Sequence, residues 1–445
     1  MATQQTGDIA AHRLSSTQLS CEFADIAPLL DPTAAAAAAS RCHYCYDAPC
    51  VHACPTQIDI PGFIRKIGNG NLKGAATDIL SANPLGGMCA RVCPTEILCE
   101  GACVRNHQDA QPVAIGALQR HATDWAMASR AVAFRRAPDT GRHVAVVGAG
   151  PAGLACAHRL ALAGHRVTLF DAHAKAGGLN EYGIAAYKTV DDFAQREVDW
   201  LLSVGGIELK TGVALGRDVT LDALRQQHDA VFLAIGLGGV RALALDGEDL
   251  AGVMNAVDFI EQVRQADALE NVPVGRRVVV IGGGNTAVDA AVQSRKLGAA
   301  RVTMVYRRGV EAMSATWAER EFAQTSGVTL VTHAKPVRLI GVDGQVTGVE
   351  FEAASGERFT IDADMVLKAI GQTLVPVGIE RELLTLDGSR IAVDADGRTT
   401  LPDVWAGGDC AATGGVDLTV QAVQDGKRAA ASIDAALVRR DAQAA

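Results

Sequence analysis

One pattern occurs twice in this chain and limits its fold more than anything else in the sequence. Residues 144–171, VAVVGAGPAGLACAHRLALAGHRVTLFD, run a buried strand into a glycine turn, a helix and a second strand closing on Asp171. Residues 276–306, RRVVVIGGGNTAVDAAVQSRKLGAARVTMVY, repeat that grammar. Short Val- and Ile-rich runs alternating with helical segments predict parallel sheets with helices on both faces. Two such units predict two Rossmann-like nucleotide-binding domains. The 445 residues leave room for a further domain before them.

The turns carry specific chemistry. Gly148, Gly150 and Gly153 form G-x-G-x-x-G between strand and helix, which lets backbone and helix N-terminus approach a pyrophosphate. Asp171 stands where a carboxylate accepts from a ribose hydroxyl. In the second unit Gly282, Gly284 and Ala287 occupy the same slots, with Asn285 and Thr286 opening the helix. Its second strand leads to Arg307 and Arg308 instead of an acid. Guanidinium groups suit a 2′-phosphate, so the pair favours NADPH, with NADH as the alternative.

Ahead of these units the character differs. Residues 1 to about 30 read as a polar, weakly ordered arm, and DPTAAAAAAS (31–40) as a helix, since Ala has the best helix propensity. Residues 41 to about 140 read as short helices without strand-like runs. They hold most of the 11 cysteines. Cys42, Cys45, Cys50 and Cys54 form Cys-x2-Cys-x4-Cys-x3-Cys-Pro, and Cys89, Cys93, Cys99 and Cys103 follow. The start lacks an apolar leader core and no stretch is long and apolar enough to span a bilayer, so a cytoplasmic placement is expected. A formal charge of −9 gives no footprint for nucleic acid or an anionic membrane. In a reducing compartment, crowded cysteines bind metal rather than pair as disulfides. From the residues alone all eight are ligand candidates, either for two [4Fe–4S] clusters or for zinc. Two redox cofactors nearby favour clusters. Cys21, Cys156 and Cys410 read as core or loop thiols.

The tail, VWAGGDCA followed by DLTVQAVQDGKRAA, resembles the carboxy-terminal flavin motif of flavoproteins with two dinucleotide-binding domains. The resemblance implies that the first unit binds FAD and the inserted second unit binds NAD(P)H. It also implies that Gly408 and Asp409 meet the ribityl chain, and that the helix starting near Thr419 and Val420 faces the pyrimidine edge. AGGLNEYGI (176–184) then matches the loop beside the flavin, with Gly178 and Leu179. FLAIG (232–236) and LKAIG (367–371) match the strand–glycine crossovers of such proteins. No Cys-x-x-Cys accompanies these motifs, against a dithiol reductase.

RCHYCYDAPCVHACPTQIDIPGFI, NPLGGMCARVCPTEILCEGAC and PVAIGALQRHATDW resemble the iron–sulfur domain of the dihydropyrimidine dehydrogenase family, and the whole chain is similar to the NAD(P)H-oxidising subunit of its bacterial members. That resemblance implies Cys42, Cys45, Cys50 and Cys103 for the first cluster. It implies Cys54, Cys93, Cys99 and Gln119 for the second, leaving Cys89 as a spare buried thiol. Asn285 departs from the Asp common there. The implied fold is α/β: a helical iron–sulfur domain (1–140), FAD-binding segments (141–250 and 378–445) and an NAD(P)H-binding domain between them (251–377). The implied activity is electron input from NAD(P)H through FAD and the clusters, with no side-chain acid or base assigned. Because the sequence ends after the flavin motif, an FMN-containing pyrimidine-reducing partner with its own clusters is expected, in a heterotetramer. The small subunit of glutamate synthase and NADPH–ferredoxin oxidoreductase-type subunits share the layout. A zinc-stabilised docking module on a plain flavin reductase is the reading from another class.

Overall fold

The computed structural model describes residues 8–379 and 384–444. The chain divides into two compact units. One gathers the amino-terminal stretch through Ile26, Tyr182–Val190 and Val240–Gln372; the other gathers Ala27–Glu181, Asp191–Gly239 and the chain from Thr373 onward.

The larger unit opens with helices. Asp31 caps Pro32–Ser40 by accepting from the Ala34 amide at 2.8 Å, so the alanine run is helical as expected. Asp59 and Asn71 do the same for Ile60–Gly68 and Leu72–Ala82. These side chains satisfy amides that a helix start leaves without partners. Phe63, Ile64, Ile79, Leu80, Leu118 and Ala122 have no exposed surface and form the centre of this helical part. Burial of each of the larger ones contributes about 1.5–3 kcal/mol.

The same unit continues into a five-stranded parallel sheet in the order Val404–Ala406, Ala230–Leu233, His143–Val147, Arg166–Phe170 and Ile207–Lys210. His143–Val147 is central, and the strand order reverses at its carboxyl end, the usual ligand position in such sheets. Gly148 follows at that point. On one face the helix Pro151–Leu162 packs against Thr419–Ala444. A Cβ on Gly426 would lie 2.1 Å from the Ala152 carbonyl oxygen, so glycine permits this close crossing.

The smaller unit holds a second parallel sheet, ordered Val253–Asn255, Met365–Ala369, Arg277–Gly282, Arg301–Val305 and Thr329–Val331. A three-stranded antiparallel sheet spans 334–362. The chain is therefore α/β with two Rossmann-like sheets and a helical amino-terminal part, as the sequence implies.

The amino-terminal arm differs from expectation. Residues Ser16–Glu22 form a helix whose first turn is closed reciprocally by Ser15 and Gln18. Leu19 and Phe23 are buried in the same core as Phe259, Val274 and Val292. The stretch looks irregular in sequence because a helix of 7 residues with its C-cap offers only two buried apolar anchors, Leu19 and Phe23, to that core. Cys21 lies exposed on this helix, not in a core.

Candidate functional site

All eleven cysteines are unbridged thiols. Cys42, Cys45, Cys50 and Cys103 line one cavity, walled by Ile60, Ile64, Val113 and Ile115. Pro49 starts a short helix that presents Cys50, and Tyr44, at φ 52°, turns the chain between Cys42 and Cys45. Burial pushes the Cys50 thiol up to about 11, and Cys103 and Cys42 add to the rise. Cys42 is raised for the same leading reason.

Cys54, Cys93, Cys99 and Gln119 line a second cavity, together with Cys89, Asn83, Ile58 and Val420. Burial drives Cys99 strongly upward. A hydrogen bond with Cys89, then burial, does so for Cys93. Thiolates crowded in apolar pockets repel one another unless a cationic centre compensates them. Among the described residues no three His, Cys, Asp or Glu side chains close on one point that could hold an ion. Sulfur-rich donor sets of this kind suit an iron–sulfur cluster. Gln119 Nε2 donates to the Gly86 carbonyl at 2.7 Å, which leaves Oε1 without a protein donor among the described residues.

In the first glycine turn the three glycines answer to different needs. Gly148 has φ 107°, and a Cβ on it would sit 2.2 Å from the Ala234 oxygen; on Gly153 it would sit 1.9 Å from the Gly148 oxygen. Gly150 has φ −77°, and a Cβ there would meet only the Gly178 Cα, at 3.8 Å. Its lack of a side chain keeps space open for something other than the protein. Asp171 accepts from the Ala149 amide at 2.7 Å and the His173 amide at 2.8 Å, which aims its carboxylate at this turn.

Gly178, at φ 54°, approaches Gly150 from the facing loop, and Leu179 beside it is partly exposed. Gly408, at φ 68°, lies against Ala152. Burial raises Asp409 to about 6, Asp417 and Asp425 adding and Arg390 opposing. Thr419 starts the last helix and donates from Oγ1 to Asn180 Oδ1 at 3.1 Å. The fold thus gathers the first-site residues around one turn. Val420, next to Thr419, is a wall of the second cysteine cavity.

In the smaller unit Gly282 packs against Ala369, and Gly284 ends the turn before the helix Asn285–Lys296. Asn285 Oδ1 is buried without a hydrogen-bond partner, an acceptor that suits a donor-bearing ligand. Thr286 is half-buried beside it and Ala287 fully buried. Arg307 and Arg308 are exposed past the strand Arg301–Val305, and Arg308 donates to the Tyr306 hydroxyl.

Over residues 142–426 the chain matches the family model of the pyridine nucleotide-disulphide oxidoreductases. It belongs to that family. Residues 19–131 match the model described as dihydropyrimidine dehydrogenase domain II, 4Fe–4S cluster. The chain is 34% identical over 416 residues to the NAD-dependent dihydropyrimidine dehydrogenase subunit PreT of Salmonella typhimurium, covering 92% of this chain and 96% of the relative. It is also 34% identical over 451 residues to the glutamate synthase [NADPH] small chain of Halomonas elongata, covering 93% of each. The fold resembles the thioredoxin reductase of T. acidophilum, at TM-score 0.54 and 22% identity, over 67% of this chain and 99% of that one.

This pyridine nucleotide-disulphide oxidoreductase is an NAD(P)H-dependent flavin oxidoreductase with a 4Fe–4S domain. No described helix is long and apolar enough to cross a membrane. Two buried polar groups escape a sequence reading. Lys188 bridges Asp289 at 2.8 Å and Glu319 at 2.6 Å in the smaller unit. In the larger unit Glu197, fully buried, accepts from the Gly87 and Met88 amides. Their partners lie too far along the chain for any local spacing to signal them.

Proposed function

We propose that this oxidoreductase is the electron-input subunit of a dihydropyrimidine dehydrogenase. It takes electrons from NAD(P)H and passes them to an FMN-containing partner, with its own iron–sulfur clusters, that interconverts uracil or thymine and their 5,6-dihydro forms. In this reading the helical segment 1–140 serves the clusters, 141–250 and 378–445 serve FAD, and 251–377 serve the nucleotide. The whole works as a heterotetramer. FAD, when bound, takes up a hydride as a pair of electrons, and iron–sulfur clusters carry electrons singly.

The observation that carries the reading is the sorting of ligand candidates. Cys42, Cys45, Cys50 and Cys103 line one cavity, and Cys54, Cys93, Cys99 and Gln119 the other. These residues would hold two [4Fe–4S] clusters, with Cys89 a bystander in the second wall. Gly148, Gly150, Gly153, Asp171, Gly178, Leu179, Gly408, Asp409 and Thr419 would hold FAD. The Thr419 helix N-terminus favours negative charge on a bound ring. Gly282, Gly284, Asn285, Thr286 and Ala287 would receive the nucleotide. Arg307 and Arg308 favour NADPH, although the PreT relative is named NAD-dependent.

Glutamate synthase small subunit is the second reading, supported by equal identity to that relative. NADPH–ferredoxin oxidoreductase-type subunits share the layout. DAPC, CPTQIDI and Gln119 favour the pyrimidine family. The test is anaerobic purification, iron and sulfide analysis, and titration with NADH and NADPH under visible and EPR spectroscopy. About eight irons per chain, four for each cluster, are expected. Reconstitution with the FMN partner should give NAD(P)H-dependent uracil reduction. Zinc in place of iron, or glutamate formation with an amidotransferase partner and no uracil turnover, would overturn the reading.

A further inference from the structure

The turn between Leu72–Ala82 and the helix Gly86–Val92 is held by residues distant in sequence. Leu85 caps the helix without a side-chain bond, although Ser, Thr or Asp could do so locally. The cap comes instead from Glu197, on the helix Phe193–Leu202. Its Oε1 accepts from the Gly87 amide at 2.7 Å and its Oε2 from the Met88 amide at 3.1 Å. Glu197 has no exposed surface. Burial pushes the Glu197 acid up to about 8, the Gly87 and Met88 amides and Arg91 opposing, so a buried acid is a costly way to cap one short helix.

The geometry of the turn is tight on every side. A Cβ on Gly86 would lie 2.6 Å from Ile79 Cγ2, and one on Gly87 would lie 2.5 Å from Phe193 Cζ. Arg91 donates to the Gly87 carbonyl at 3.1 Å, stacks 3.4 Å over Phe193 and pairs with Asp124. The Gly86 carbonyl receives Gln119 Nε2 at 2.7 Å. That bond decides which end of the Gln119 amide turns to the second cavity, because nitrogen is fixed on the turn and Oε1 is left over. An oxygen facing iron can ligate; an amide nitrogen cannot.

We infer that Glu197 is a positioning residue for the second cluster: it fixes the Gly86–Met88 turn, whose Gly86 carbonyl holds the Gln119 amide with Oε1 toward the cavity. This rests on Gln119 being a cluster ligand. Glu197 touches neither cavity and acts only through the turn. Its removal leaves two buried amides unpaired, lets the turn relax, and frees the Gln119 amide to swing or flip.

The test compares the full-length, FAD-loaded, anaerobically prepared chain with Glu197→Gln, Glu197→Ala and Gln119→Leu. Iron per chain, FAD per chain, the EPR signals of the dithionite-reduced protein and the midpoint potential of each cluster are measured. Glu197→Ala should change the signal and potential of the cluster that Gln119→Leu changes. It should leave the other cluster and FAD content at wild-type values. Glu197→Gln keeps one acceptor oxygen and should give a smaller shift of the same cluster. If Gln119→Leu alters one cluster while both Glu197 variants match wild type, the positioning role is wrong. If Gln119→Leu alters nothing, the ligand assignment has failed instead. Should Glu197→Ala not fold, Glu197→Gln decides: a shift confined to that one cluster supports the role, and no shift, or equal damage to both clusters and FAD, overturns it.

Discussion

Alanine at Gly150 and alanine at Gly153 should have different consequences, although the two glycines belong to one turn. At Gly153 the new Cβ would stand 1.9 Å from the Gly148 carbonyl oxygen and 3.0 Å from its carbon. Neither is the end of a flexible side chain, so strand and helix must separate. Overpacking of this kind costs about 1–3 kcal/mol and more where backbone cannot move, so about 3 kcal/mol is expected with or without flavin. At Gly150 the backbone sits at φ −77°, ψ −175°, which alanine adopts freely, and the nearest atom is 3.8 Å away. The apo protein should stay within about 0.5 kcal/mol of wild type, or gain slightly through a less flexible unfolded chain. The methyl group would, however, occupy the space proposed for the FAD pyrophosphate. A hundredfold loss of FAD affinity, about 2.7 kcal/mol, is expected. Urea midpoints measured with FAD removed and with FAD in excess separate the two effects. The Gly150→Ala protein should match wild type without flavin and fall behind it with flavin. Equal FAD affinity in Gly150→Ala, or equal apo destabilisation in both variants, would refute the reasoning.

Replacing Arg307 with Glu and Arg308 with Ser should move the kcat/KM ratio toward NADH by about 100-fold, since each charge-assisted bond is worth about 1.5–3 kcal/mol; an unchanged ratio would remove the 2′-phosphate role. Cys89→Ser should keep about eight irons per chain and both cluster signals, four irons to a cluster, and loss of one signal would make Cys89 a ligand in place of Gln119. His158, 2% exposed between Phe134 and Trp200, is lowered to about 3 by burial and by Arg159, against 6.5 when unfolded. It stays neutral in the fold while the unfolded chain takes a proton, so stability is whole above pH 6.5 and declines as pH falls toward 3. The loss at pH 5 is about 2 kcal/mol. His158→Phe should show that much less loss between pH 7.5 and 5 in urea midpoints, and identical pH profiles would contradict the burial argument.

The two parallel sheets were legible because Val144–Val147 and Val278–Ile281 are apolar on both faces and end at glycines that only a turn of this kind explains. The crowded cysteines were legible as metal-ligand candidates from spacing, whereas the proposed sorting into 42/45/50/103 and 54/93/99/119 came only through family resemblance. Spacing treats Cys89 like its neighbours, and nothing local marks a glutamine on a helix as a ligand candidate. Three features could not be read at all. The helix at Ser16–Glu22 gains its stability from a core assembled by residues more than two hundred positions away, such as Phe259. The hop of Tyr182–Val190 into the smaller unit depends on packing, which leaves no periodic trace. Glu197 caps a helix more than a hundred residues earlier, and a lone glutamate in FAQREVDWLL looks like any surface acid.

The cysteine-bearing helices and the flavin-motif segments share one compact unit, joined by Glu197 to Gly87, by Lys427 to the Thr56 carbonyl, and by Val420 in the wall of the second cavity. On the proposed reading, cluster binding stabilises this same unit, because whatever binds only the folded form favours it by mass action. If the clusters are held as proposed, an organism short of iron would carry less of the folded flavoprotein. It would instead carry a larger unfolded fraction exposed to proteases. Abundance of the chain, and not only its activity, would track the supply of iron and sulfide.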